Sequence, residues 1–260
     1  MSDRDSQEIM QNKKSKLGQN FLIDKQAIND FINFCSIKKE DTILEIGPGF
    51  GALTKHLSLK AKKVIAIEID TDLAYKLNTL GIENLLVLNK DFLEVNLKEL
   101  VEKEKITKII GAIPYYISSP IIHKIIEEAK EPLKEVALIT QKEFAQKIIG
   151  TKKNRSYFTN LIERYAEIIP GRVIKSSSFK PKPKVDSMYF KFVFKDYPKN
   201  KEEFIKWSKF LHHVYTNPRK KINKKFKKDL LLKAGISPDI RPQNLSVEDI
   251  LKILYNSYHD

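Results

Sequence analysis

Residues Glu45-Ile-Gly-Pro-Gly-Phe-Gly51 constrain this chain more than any other stretch. The apolar run Thr42-Ile43-Leu44 leads into them, and Ala52-Leu53-Thr54-Lys55-His56-Leu57 follows with helical character. A strand, a glycine-rich turn and a helix in that order form a loop that cradles a nucleotide-sized ligand. Glycines 47, 49 and 51 let the backbone turn tightly and approach a ligand that any Cβ would hold off. The spacing alone also fits an ordinary strand-to-helix turn. Its acidic lead residue, Glu45, suits a cationic ligand such as a sulfonium better than a pyrophosphate.

Four more aliphatic runs follow: Lys63–Asp70, Asn84–Asn89, Lys108–Ile113 and Glu135–Thr140. With Thr42–Ile46 they read as five strands separated by helical periods. Near-continuous aliphatic runs of this kind indicate a parallel sheet covered on both faces. Gly171–Lys175 and Val185–Lys195 read as two later strands that finish the sheet as an antiparallel pair. An amphipathic helix is expected from about Asp24 to Cys35. After Tyr197-Pro-Lys-Asn200 the composition shifts, and helices are expected at about 201–216, 219–234 and 246–257. The fold class is therefore α/β, a Rossmann-like sheet with a small all-helical C-terminal domain. The expected divisions are a basic N-terminal tail over 1–16, a sheet domain over 17–198 and the helical domain over 199–260.

The 260 residues suffice for such a core plus an appendage. No apolar run approaches the roughly 20 residues of a membrane span, and the start lacks an apolar signal core, so a cytoplasmic protein is expected. A single cysteine, Cys35, excludes an intrachain disulfide and a cysteine-rich zinc site. The five histidines show no metal-ligand spacing, and no metal is expected. A net charge of +14 fits a nucleic-acid partner or a lysine-rich background. Without an exposed apolar helix face, a monomer is expected.

Strand ends supply the chemistry. Glu68, about 20 residues beyond the glycine loop, is placed to accept from both hydroxyls of a ribose. Asp91 can accept from an adenine amino group while Phe92 packs on the ring. Gly47, Glu68 and Asp91 thus converge on one adenosine-sized ligand at the carboxyl edge of the sheet. Gly111-Ala-Ile-Pro-Tyr-Tyr-Ile117 closes the fourth strand with a stiff, tyrosine-bearing platform on which a base can stack, worth about 1–3 kcal/mol. Packed singly, the same tyrosines would suit a core.

These stretches, with Leu17-Gly-Gln-Asn-Phe-Leu22, Glu68-Ile-Asp70 and Ile113-Pro-Tyr115, resemble the S-adenosyl-L-methionine-dependent rRNA adenine N6-methyltransferases. Phe179-Lys-Pro-Lys-Pro-Lys-Val-Asp-Ser187 and Arg241-Pro-Gln-Asn-Leu245 are closest to the members that dimethylate small-subunit rRNA. The macrolide-resistance members, which modify large-subunit rRNA, share the front motifs and match the C-terminal region less well. The resemblance implies that Asn20 and Leu22 cover the cofactor and that Gly47 lies against its amino-acid portion. It implies that Glu68 holds the ribose and Asp91 the adenine. Glu45, Gly49, Gly51, Phe92 and Ala112 complete the expected cofactor set. The implied reaction dimethylates two adjacent adenosines near the 3′ end of small-subunit rRNA, within an immature 30S subunit. The segment Ala112, Ile113, Pro114, Tyr115 is implied to hold the target base, with Tyr115 and Phe179 stacking on its two sides and the Pro114 carbonyl accepting from its amine.

Where the family has Asn, this chain has Ala112. The exocyclic amine of adenine is a poor nucleophile because its lone pair is delocalised into the ring. Two carbonyl acceptors for its protons favour the geometry in which the lone pair attacks. Alanine removes the side-chain acceptor, so a weakened or inactive enzyme with its fold and RNA surface retained is expected; a water in place of the amide would leave the change neutral. A non-catalytic assembly factor is then the alternative function.

From residue 199 onward the chain carries 14 Lys/Arg against 7 Asp/Glu. Within the expected helix 219–234, Ile222, Phe226 and Leu230 fall on one face. Arg219, Lys220, Lys221, Lys224, Lys225, Lys227 and Lys228 occupy the rest and read as a phosphate-tracking surface or, more plainly, a solvated helix. Lys180, Lys182 and Lys184 are expected to extend that surface.

Overall fold

The computed structural model describes residues 19–258, so the expected tail over 1–16 lies outside the described residues. Strands β1 (Phe21–Leu22), β2 (Thr42–Ile46), β3 (Lys63–Glu68), β4 (Leu85–Asn89) and β5 (Lys108–Ala112) come first along the chain. They are followed by β6 (Glu135–Gln141), β7 (Ala166–Ile174), β8 (Phe179–Lys180) and β9 (Ser187–Phe194). Seven of them form one sheet in the order β4-β3-β2-β5-β6-β9-β7. The first five in that order pair in parallel. All of β2 is buried, as are the central residues of β3, β5 and β6. Coverage on both faces is why these segments read as unbroken aliphatic runs. The aliphatic runs thus become the expected parallel strands, and β7 and β9 close the order as neighbours.

Strand order reverses between β2 and β5, since β3 and β4 lie to one side and β6 to the other. Such a reversal opens a crevice at the strand carboxyl ends. The helices return the chain to the sheet and carry their own stop and start signals. Asp24 caps helix Lys25–Phe34 by accepting from the amides of Gln26 and Ala27 at 2.9 and 3.2 Å. Ile28, Phe31 and Ile32 on one face of that helix join Ile43, Ile110 and Tyr189 in a single apolar cluster. Burying each such side chain contributes about 1.5–3 kcal/mol.

A buried ionic network sits beneath this cluster. Glu135 accepts from Lys108 Nζ and Lys191 Nζ, both at 3.0 Å. The same ammonium groups donate to the carbonyls of Cys35 and Phe34, again at 3.0 Å. Two cations thus meet the carbonyl end of helix Lys25–Phe34, where the helix dipole favours positive charge.

A small second sheet was not anticipated. β1 and β8 pair antiparallel, Phe21 with Lys180 and Leu22 with Phe179. Helices Lys142–Ile149 and Tyr157–Glu163 were also not anticipated.

The chain separates into two compact units, one ending at Lys142 and resuming over Pro170–Lys191, the other comprising Glu143–Ile169 and Phe192 onward. The second unit therefore takes in residues 143–169 besides the C-terminal helices. Helices Lys201–Tyr215 and Val247–Ser257 stand where the sequence places them. The expected helix 219–234 does not. A single 3-10 turn spans Ile222–Lys224, and α-helix is confined to Lys228–Lys233. The Ile222 and Asn223 amides donate out of the segment, to the carbonyls of Ile240 (2.8 Å) and Pro238 (3.2 Å). Like charges at helical spacing disfavour the alternative. Ile222 and Leu230 are nonetheless buried and Phe226 half-buried, so the apolar positions are read correctly although the backbone is not helical throughout.

Candidate active site

The crevice is built from loops that follow β2, β3, β4 and β5, all within the first unit. Gly47 and Gly49 both have positive φ, 64° and 58°. The Gly49 amide donates to Glu68 Oε2 at 3.0 Å, and the Asp70 amide donates to Oε1 at 3.0 Å. Glu68 is therefore fixed between the glycine loop and the next helix. Burial pushes its carboxyl up, and the Asp70 and Gly49 amides pull it back. Asp91 accepts from the Leu93 amide at 2.8 Å, which caps the turn that places Phe92 inward.

The crevice has two compartments. Ile69, Asp91 and Phe92 line the first; Asn20, Ala112, Tyr115 and Phe179 line the second. Gln19, Gly47, Glu68 and Pro114 line both and make them one bent cleft. Gly49 and Ile113 also line the second compartment. A Cβ on Gly49 would lie 2.9 Å from the Phe21 ring, so the loop is closed over by β1. Phe179 lines the second compartment from a mostly buried position, paired with Leu22.

Three residues expected at the cofactor, Leu22, Glu45 and Gly51, do not line either compartment. Leu22 faces the core cluster. Gly51 approaches Leu77 and Leu80 instead. Glu45 lies behind the loop, 1% exposed, and neither of its oxygens has a hydrogen-bond partner. Burial first, and the Glu68 charge behind it, push this carboxyl up to about 8 against the pull of the nearby Thr54 hydroxyl, which lowers it without reaching hydrogen-bond geometry.

The Pro114 carbonyl departs from expectation. It accepts from Ser118 Oγ at 3.0 Å and from the Ile117 amide at 3.3 Å, so both lone pairs are used inside its own turn. Tyr115 is half-buried and its hydroxyl lies 2.7 Å from Ser187 Oγ. Tyr116, the next residue, is 62% exposed.

Gln19 and Ser187 lie in the cleft although neither stood out as a candidate, Gln19 within the run Leu17–Leu22 and Ser187 at the end of the Phe179–Ser187 run. Lys182 and Lys184 are exposed and Lys180 half-buried. In the second unit Arg219, Lys220, Lys221, Lys224, Lys227 and Lys228 are exposed and Lys225 half-buried, and Lys221 pairs with Asp239 at 2.8 Å. Among the described residues no group of three or more His, Cys, Asp or Glu is placed to hold a metal ion, and no helix is long and apolar enough to cross a membrane.

The profile of the family described as ribosomal RNA adenine dimethylase matches residues 10–258. The chain belongs to this family. "Ribosomal RNA small subunit methyltransferase A" of Sulfurihydrogenibium sp. is 36% identical over 250 residues, covering 92% of this chain and 94% of its own. The protein of the same name from Mycoplasmopsis pulmonis is 39% identical over 251 residues, covering 91% and 95%. A dimethyladenosine transferase from Plasmodium falciparum superposes with a TM-score of 0.77 at 28% identity, over 92% of this chain and 98% of its own. The 23S rRNA methyltransferase ErmE superposes with a TM-score of 0.70 at 25% identity, over 91% and 99%. An rRNA adenine dimethylase takes its methyl groups from S-adenosylmethionine, and the cleft fits that cofactor. Its glycine cradle admits close approach, the Glu68 carboxylate lines both compartments as an acceptor, and Asp91 with Phe92 lines the first.

Proposed function

We propose that the bent cleft is the site of N6,N6-dimethylation of two adjacent adenosines near the 3′ end of small-subunit rRNA, in an immature 30S particle. The observation that carries this reading is the meeting of an adenosine-sized compartment and a ring-walled compartment at Gly47, Glu68 and Pro114. In the first, Glu68 accepts from the ribose hydroxyls and Asp91 from the adenine amine. In the second, a flipped adenine lies between Tyr115 and Phe179, and its N6 faces residue 112. The bound cofactor supplies an electrophilic methyl group. This chain's own task is to orient the amine lone pair and exclude water. The proton released after attack is acidic enough for solvent to take.

Ala112 offers no side-chain acceptor, and the Pro114 carbonyl is engaged with Ser118 and Ile117. Both facts support weak methyl transfer by this chain. They also favour a second reading, an assembly factor that docks on the small subunit through the basic segment 219–228 with little chemistry of its own. Methyl incorporation from labelled S-adenosylmethionine into unmethylated small subunits, measured for this chain and for Ala112→Asn alongside subunit binding, separates the two. Incorporation only by Ala112→Asn, with equal binding, supports a cleft lacking one acceptor. Equal incorporation by both sinks the role given to residue 112. Label recovered in large-subunit rRNA assigns the macrolide-resistance specificity instead.

A further inference from the structure

We infer that the adjacent residues Asp186 and Ser187 form a positioning bracket that sets both ring walls of the base compartment. The inference rests on the proposed roles of Tyr115 and Phe179. Ser187 is fully buried and opens β9, and its hydroxyl lies 2.7 Å from that of Tyr115. The phenol is thereby tethered at the end far from its own backbone. A ring fixed at both ends cannot swing about χ1, so it keeps its face to the compartment.

Asp186 acts on the opposite wall. One carboxylate oxygen accepts from the Ser176 amide at 2.9 Å and the other from Lys175 Nζ at 3.2 Å. Its backbone carbonyl accepts from the Lys142 amide at 3.0 Å. The Ser176 amide and the Lys175 ammonium hold this carboxyl below the usual range. The turn Ser176–Ser178 so fixed delivers Phe179 directly. Ser178 carries the restraint onward: its carbonyl accepts from the Ile23 amide at 2.9 Å, and its hydroxyl donates to Asp24 at 2.7 Å. β1 is thereby bound to the same turn. Two consecutive residues, joined by one peptide unit, thus govern the separation of the two rings.

The test reads base stacking and requires no turnover. Small subunits are reconstituted with 2-aminopurine at the target adenosine, and its quenching by this chain is compared with that by Tyr115→Ala, Tyr115→Phe, Ser187→Ala, Ser187→Thr and Tyr115→Phe/Ser187→Ala. The expected result is quenching by the parent that Tyr115→Ala abolishes. Ser187→Ala and Tyr115→Phe each reduce it at least twofold with unchanged subunit Kd, the double variant is no worse than either, and Ser187→Thr restores it. Parent-like quenching by Ser187→Ala, or reductions that multiply in the double variant, overturns the bracket while leaving the base site intact. No quenching by the parent, or none lost in Tyr115→Ala, overturns the base-site reading itself. Asp186→Asn is expected to leave the Ser187–Tyr115 contact but broaden the Phe179 wall, seen as partial quenching with two fluorescence lifetimes. A single parent-like lifetime removes Asp186 from the bracket.

Discussion

Ala112 and Glu45 lie near the same loop and test different physics. In the proposed reaction, residue 112 lacks an acceptor for a substrate proton. Restoring it with Ala112→Asn is expected to raise the methylation rate about 10²–10³-fold, by analogy with removing one aligned donor from an oxyanion hole. Single-turnover transfer at saturating cofactor measures that step. At Glu45 the carboxyl is buried without a partner and pushed up to about 8 from 4.5. The folded state therefore binds a proton that the unfolded chain releases above pH 4.5. The associated stability is complete below that pH and drains away as pH rises through about 8. Glu45→Gln keeps the shape without the titration, so its Tm should match the parent near about pH 4 and exceed it increasingly towards pH 9. Each kcal/mol so recovered shifts Tm by roughly 2–4 °C in a domain of this size. A Tm difference independent of pH would remove Glu45 as the titrating group.

Local elements divide into those whose sequence carries their own instructions and those that borrow them. The glycine loop does both. Its positive-φ glycines announce it, yet the element it meets, β1, is only two residues long and has no periodicity to read. Gly49→Ala brings a Cβ to 2.9 Å from the Phe21 ring at a φ of 58°. We expect a loss of about 1–2 kcal/mol from the backbone conformation alone, and a further loss of cofactor affinity as β1 is displaced. Calorimetric titration with S-adenosylhomocysteine, repeated in Phe21→Ala, checks this. Recovery of affinity but not of stability in the double variant identifies the ring contact. The parallel strands were legible because burial of β2, β3, β5 and β6 makes their centres mostly aliphatic, with the edge strand β4 aliphatic although partly exposed, and the strand ends then located Glu68, Asp91 and the 112–115 segment. The β1–β8 pairing was not legible, because it joins residues more than 150 positions apart through backbone groups alone. The 219–234 segment misled for a related reason. Its apolar spacing is helical, but its amides find the 238–240 carbonyls, a choice that no local pattern encodes. Nor was the engagement of the Pro114 carbonyl, which depends on where Ser118 turns its hydroxyl.

Across the molecule, the cleft and the longest basic segment occupy different units of the chain. The cleft belongs to the first, the cationic segment 219–228 to the second. If that segment tracks phosphates, replacing Arg219, Lys220 and Lys224 with Gln should flatten the dependence of log K on log salt by roughly 2–3 for small-subunit binding. Affinity for S-adenosylmethionine should stay unchanged. Filter binding across a salt series reads the slope, and a parallel line displaced downward would argue against phosphate contacts at these positions.

The ionic network beneath helix Lys25–Phe34 has a consequence for the order in which the chain is made. The helix ends on ammonium groups supplied 73 and 157 residues later, by Lys108 and Lys191, and Asp24 at its start waits for Ser178, 154 residues on. Long-range closure of this kind raises contact order and slows assembly. While the chain is emerging from the ribosome, β2 to β6 can pair from successive segments and Lys108 on β5 can meet the Cys35 carbonyl, but the Phe34 carbonyl has no ammonium partner until Lys191 on β9 is out. A nascent chain halted before β9 would own the five parallel strands but lack the strand that joins β7 to them and the second ammonium at the helix end. Helix Lys25–Phe34 is thus secured at both ends only after most of the chain has been made.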